Sequence, residues 1–267
     1  MSNHFRRTWQ QHRVGQVLFT VQIDPLDGEF NIERHRGLAD LTRRLVDLFS
    51  ANRLSATWAA GNPAKCAATS AVLRSTVDHE LAILGNSGWI GPTVGRTRFA
   101  QELARRVGLA GSAGVSVTSL VPRVASIKEH VDLVLKQGIS AVAGLGELPR
   151  TTMKQTVPRA LHYGLWELPV TQRLPLPPSW MPGAARSLLR RMRSAAQEAE
   201  TFHVVIDAAT VEREAGRGEA TIAKIVRGVA ELRNRGLVRV ETLTTAAARL
   251  ASVPTVAPQR SILRHAA

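Results

Sequence analysis

The stretch QVLFTVQI, residues 16–23, is short, β-branched and apolar, which reads as a buried strand. Asp24-Pro25-Leu26-Asp27-Gly28 follows at once and carries a turn signal. Downstream, Leu38, Leu41, Leu45 and Leu48 recur at helical spacing. Residues 54–60, LSATWAA, then read as a second strand closed by Gly61-Asn62-Pro63. The alternation continues along the chain. Helices are expected over 64–74, 96–107 (stopped by Gly108), 127–136 (stopped by Gly138), 184–199, 219–235 and 243–251. Strands are expected over 79–84, 115–121, 139–143, 164–168, 202–206 and 237–240. Residues 144–158 read as a turn-rich loop and 174–182 as a proline-rich one.

Apolar strands alternating with helices imply parallel strands covered by helices. No G-x-G-x-x-G follows the first strand and no G-x-x-x-x-G-K occurs, so the usual nucleotide-binding reasons for an open sheet are missing. The expected fold is α/β, a single-domain barrel of seven or eight parallel strands over residues 15–252, with a loose leader at 1–14 and a frayed tail at 253–267. Functional groups of such barrels sit at the C-terminal ends of the strands.

Composition narrows the class. The 267 residues are 44% apolar and 21% charged, near the globular average. No apolar run reaches the ~18–20 residues that a membrane-spanning helix needs. The start is polar and basic without the apolar centre of a secretory signal. A single cysteine, Cys66, excludes an internal disulfide and multi-cysteine zinc sites, and fits a cytoplasmic location. The net charge is +14, and of 35 basic residues only five are lysines, leaving thirty arginines. Such a surface attracts nucleic acid, acidic glycan or anionic lipid; the plainer source is a coding bias toward Arg and Ala.

Read in order, the strand ends resemble one family. FTVQIDPLDG (19–28), LSATWAAG (54–61) and DHELAILGNSGW (78–89) resemble the opening of the polysaccharide deacetylases, the NodB-homology group of family 4 carbohydrate esterases. SLVPRV (119–124), LWELPVT (165–171) and FHVVIDAATV (202–211) resemble its later strand ends. The resemblance implies a distorted α/β barrel that hydrolyses an N- or O-acetyl group on a sugar. It implies a divalent metal, usually zinc, on one Asp and two His, with a second Asp as base and a late His as acid. A metal of this kind activates water and a carboxylate takes the proton.

Carried over residue by residue, the base position falls on Gln22, whose amide cannot take up a proton at neutral pH. The metal-binding Asp is Asp24. The two histidines of H-x-x-x-H fall on Leu84 and Gly88, and the acid histidine on Asp207. His79 matches a non-ligand histidine of the pattern. One functional position in five keeps its residue, so the expectation is a pseudoenzyme with no metal and no cofactor. Its mouth would bind a carbohydrate, glycan or partner through Gln22, Asp24, Trp89, Arg123 and Asp207. Arg123 offers a fork for a carboxylate or phosphate, and Trp58 and Trp89 stand at positions suited to stacking on sugar rings, Trp58 also suited to the core.

Two other functions stay open. A hydrolase of acetylated sugars would use a rearranged site around Asp24 and Asp207, a pair that also suits backbone hydrogen bonding. A binder of nucleic acid or acidic polymer would use Arg186, Arg190, Arg191 and Arg193, which share their helix with the apolar stripe Leu188, Leu189 and Met192. His79 and His203 read as hydrogen-bonded structural histidines rather than ligands, and Trp58 and Trp166 as core. Gly85-Asn86-Ser87-Gly88-Trp89 is not a nucleophile elbow, because its second glycine comes one place early.

Overall fold

β1 (Gly15–Gln22) is buried along its whole length and organises the sheet. A computed structural model describes residues 14–24, 32–66, 68–91, 93–123, 127–144, 157–174, 183–214 and 216–252. In it β1 pairs in parallel with β9 (Thr201–Asp207), with β2 (Thr57–Ala60) at its C-terminal end and with β10 (Val238–Glu241) at its N-terminal end. From β2 the parallel order runs through β3 (Glu80–Gly85), β4 (Ser119–Pro122), β5 (Ala141–Gly144) and β7 (Trp166–Pro169). β6 (Arg159–Ala160) adds an antiparallel stub to β7.

The sheet closes through one extended run. Only Val170 and Thr171 separate β7, which pairs with β5, from β8 (Gln172–Leu174), which pairs with β9. In the gap the Thr171 N–H donates to the His203 carbonyl at 2.9 Å. The result is the expected α/β barrel, formed as a single domain by a curled, mostly parallel sheet.

Strand side chains alternate between two faces. Val17, Phe19 and Val21 of β1 face outward and join the apolar layer under the helices. That layer receives Leu41, Leu45 and Phe49 from α1 (Ile32–Ala51), Val72 from α2 (Thr69–Arg74), and Phe99 and Leu103 from α3 (Arg96–Ser112). It also receives Val134 from α4 (Val131–Lys136), Leu188 and Met192 from α5 (Ala184–Gln197), Val211 from α6 (Ala208–Arg213), and Ile222, Ile225 and Val229 from α7 (Arg217–Asn234). The inward face forms a separate cluster of Leu18, Ala59, Ala82, Leu84, Val121, Ala141, Ala143 and Leu168. Small side chains dominate because a narrow barrel leaves little room inside. Leu243, Ala246 and Ala247 of α8 (Leu243–Ser252) join this cluster and plug the bottom.

The structure departs from the sequence reading at the edges of elements. Gly108 does not stop α3, which runs through it and ends near Gly114, a residue with φ +73°. The expected helix over 64–74 is only α2, and residues 128–130 open the next helix as a 3-10 turn. β8 and α6 fall outside the sequence expectation, because each is too short for periodicity to register. The leader through residue 13, the loop residues 145–156 and 175–182, and the tail from 253 lie outside the described residues. Among the described residues no helix is long and apolar enough to cross a membrane.

Candidate ligand site at the barrel mouth

Gln22 ends β1 in register with Ala59 of β2 and Asp207 of β9, so the strand pairing brings Gln22 and Asp207 together. Gln22 is 1% exposed, and its amide nitrogen has no hydrogen-bond partner among the described residues. Asp24 follows, and its carboxylate Oδ2 accepts the Gly61 N–H at 2.6 Å. Gly61 is required there, since a Cβ would stand 2.6 Å from the same oxygen. Asp207 caps the short helix α6: its Oδ1 accepts the Thr210 N–H at 3.1 Å. Both carboxylates therefore take backbone donors.

Arg123 follows β4. Its N–H donates to the Gly85 carbonyl at 2.8 Å, and Nη2 donates to the Asp24 carbonyl at 3.1 Å. The guanidinium thus bridges the ends of β4 and β1. Sequence reasoning missed Arg173, on β8 in register with Val205. Burial holds Arg173 below the usual arginine pKa; the charge of Asp207 opposes that shift, and the charge of Arg123 adds to it. Asp207 and Arg123 thus lie near enough to Arg173 to act on it by charge. The only signal for Arg173 is β8 itself, which has no periodicity of its own.

Other sequence candidates have structural occupations. Trp89 is 2% exposed, with its ring tilted against Phe99 at 5.7 Å and Arg106 stacked 4.6 Å above it. It presents no open face for a sugar. Trp58 is buried edge-on between Phe49 and His79. Trp166 packs against the inner cluster. His79 accepts the Ala56 N–H through Nδ1 at 3.2 Å and reaches Ser50 Oγ through Nε2 at 3.1 Å. His203 Nδ1 lies 3.1 Å from the Leu168 carbonyl, which only a donor can satisfy, so Nε2 accepts from Thr20 Oγ1 at 2.9 Å. Burial pushes both rings down to about 4. On α5, Arg191 donates to Gln172 at 2.7 Å and covers Phe202, while Arg186, Arg190 and Arg193 are exposed.

These residues do not fit the metal that the resemblance implies. Leu84 packs in the inner apolar cluster, and Gly88 lies in an exposed turn where its N–H donates to Asn86 Oδ1 at 3.1 Å. Neither can ligate, and Gln22 presents an amide where the resemblance expects a carboxylate. Among the described residues no group of three or more His, Cys, Asp and Glu side chains converges to hold an ion.

No protein-family model matches the sequence, and no curated protein matches it. Solved structures do match. A putative polysaccharide deacetylase from Mycobacterium smegmatis aligns at TM-score 0.64 and 15% identity, over 90% of this chain and 91% of that one. A 4-alpha-glucanotransferase from Thermococcus litoralis aligns at TM-score 0.64 and 11% identity, over 89% of this chain but 40% of that one. A probable polysaccharide deacetylase from Pseudomonas aeruginosa PAO1 aligns at TM-score 0.54 and 13% identity, over 87% and 89%. At such identities the likeness is one of fold: this chain has the NodB-like barrel of polysaccharide deacetylases.

Proposed function

We propose that this chain uses the deacetylase scaffold to hold a carbohydrate at the barrel mouth without hydrolysing it. The observation that carries the reading is Gln22, a buried amide with an unpartnered nitrogen at the position where the resemblance expects a base. An amide donates and accepts hydrogen bonds but takes up no proton at neutral pH, so the position suits recognition and not water activation. The apolar Leu84 and side-chain-free Gly88 remove the means of polarising an acetyl carbonyl through a metal. Asp24 and Asp207, the pair a rearranged hydrolase would need, serve Gly61 and Thr210 instead.

The test uses the full chain dialysed against zinc, followed by elemental analysis, acetate release from N-acetylated chito-oligosaccharides, and titration with glycans. The expected outcome is saturable glycan binding, no stoichiometric metal and no acetate. Stoichiometric zinc or nickel with chelator-sensitive acetate release would overturn it.

A second reading, that the chain binds acidic polymers, draws on α5. Its exposed Arg186, Arg190 and Arg193 form no ion pair with any described residue and lie along one helical stripe.

A further inference from the structure

Among the described residues, Arg173 is a mouth cation that the resemblance does not account for. Its neighbour Leu174 packs outward into the layer under the helices, so alternation turns Arg173 inward above His203. There its guanidinium makes no hydrogen bond or ion pair with any described residue. Asp207 is close enough to act on it by charge, yet Asp207 spends an oxygen on the N-terminus of α6. Arg123 stands on the other side, tied to the Asp24 carbonyl and repelling Arg173. The ring of His203 below is neutral and adds no charge. Gln22 contributes the second unsatisfied donor, its buried amide nitrogen.

A half-buried guanidinium and a buried amide N–H, both without acceptors among the described residues, describe half of a recognition site. Their missing partner is an acceptor that carries negative charge and presents more than one oxygen, because a guanidinium fork is best satisfied by a planar or multidentate oxyanion. A neutral hydroxyl would leave the charge uncompensated in partly desolvated surroundings.

We infer that the mouth takes an oxyanion group on the sugar, a carboxylate or a phosphate monoester, with the Arg173 guanidinium as its charged partner and the Gln22 amide as its second donor. This rests on the carbohydrate reading and narrows it to acidic sugars.

Calorimetric titration of the full chain with glucuronate, glucose 6-phosphate, glucose and inorganic phosphate tests the inference. The wild-type chain is expected to bind at least one of the two acidic sugars about tenfold or more tightly than glucose. Arg173→Gln should abolish that preference, and Arg173→Lys should keep part of it. Circular dichroism and the thermal midpoint establish that each variant is folded. The stronger of the two acid arms names the group as carboxylate or phosphate. Equal binding of all three sugars, or a preference that survives Arg173→Gln, overturns the inference and leaves the carbohydrate reading standing. Arg173-dependent binding of inorganic phosphate with no sugar bound upholds the oxyanion site and overturns the carbohydrate reading. Binding of none of the four overturns both.

Discussion

Gln16 and Gln22 stand at opposite ends of the inward face of β1, and both are buried, at 4% and 1% exposure. Gln16 is satisfied on both sides of its amide: Nε2 donates to Glu241 at 2.6 Å, and Oε1 accepts from Thr201 at 2.9 Å. Gln22 leaves its nitrogen unpartnered. The same residue type on one face of one strand is thus used in two ways. The bottom of the barrel is a largely satisfied polar network with α8 inserted under the strands, although the buried Ser119 hydroxyl at the start of β4 has no partner among the described residues. In α8 the Thr244 N–H and hydroxyl donate to Glu80 at 3.1 and 2.5 Å, and the Leu243 N–H donates to Thr57 Oγ1 at 3.0 Å. At the mouth, the Gln22 amide nitrogen and the Arg173 guanidinium have no acceptor among the described residues. Under the proposed function, these donors are the ones that a ligand at the mouth would satisfy.

The largest effect is expected from the bottom. Glu80 accepts from Thr57 Oγ1 as well as from the start of α8. Glu80→Ala strands those donors and frees the plug, so it should lower unfolding free energy by about 3–4 kcal/mol. Guanidinium denaturation reads this directly. A loss below about 1 kcal/mol would mean that the plug is held by apolar packing alone, and the contrast between the two ends would weaken.

Next comes the middle of the same inward row. Thr20 lies between the two glutamines and bonds His203, whose folded pKa is pushed down from 6.5 to about 4, first by burial. The unfolded state then binds the extra proton between those values, so stability is complete above about pH 6.5 and falls as pH drops toward 4. The loss at the low end should be roughly 3 kcal/mol for His203. His79 is lowered in the same direction and is partly exposed, so it adds less. Thermal midpoints from about pH 7.5 to 4 check the slope, and His203→Gln should flatten it. A slope unchanged in that variant would assign the acid sensitivity to other groups.

The comparison itself is tested by matched substitutions at its two residues. Gln16→Leu takes one donor from Glu241, which keeps Arg249, and leaves Thr201 without its acceptor, and should cost about 1–2 kcal/mol. Gln22→Leu removes an orphaned amide and should be neutral, or stabilise by up to about 1 kcal/mol, while lowering glycan affinity. Equal losses at both positions, measured by urea titration, would erase the distinction.

The barrel is legible in the sequence because its strands are apolar, its helices amphipathic and its breaks marked by Gly and Pro; β1, α5, β9 and α7 follow their expected bounds within a few residues. The glycine rule fails at Gly108, where a Cβ would meet nothing and α3 gains enough from burying Phe99 and Leu103 to continue. Strand-end logic is enough to place Gln22, Asp24, Arg123 and Asp207 at or just beyond the C-terminal ends of their strands. Trp89 follows from its position in the turn, but which way an indole points depends on the helix beside it, here α3 with Phe99 and Arg106. Arg173 is out of reach because its strand is defined by pairing across the chain with β9, an arrangement that no local pattern encodes.

The smallest effect on stability belongs to a third surface, outside both ends. Arg191 of α5 is anchored by Gln172 and Phe202, whereas Arg186, Arg190 and Arg193 hold no ion pair with a described residue. Exposed charges contribute little to folding. Replacing all three with Gln should therefore change unfolding free energy by no more than about 0.5 kcal/mol. The same triple variant should elute from heparin at distinctly lower salt if α5 binds acidic polymers. Its binding should then depend less steeply on salt, by roughly 0.7–0.9 in the log–log slope for each arginine that engages the polymer in the wild-type chain. Unchanged elution would spread the attraction over the whole +14 charge and take from α5 any special part in it.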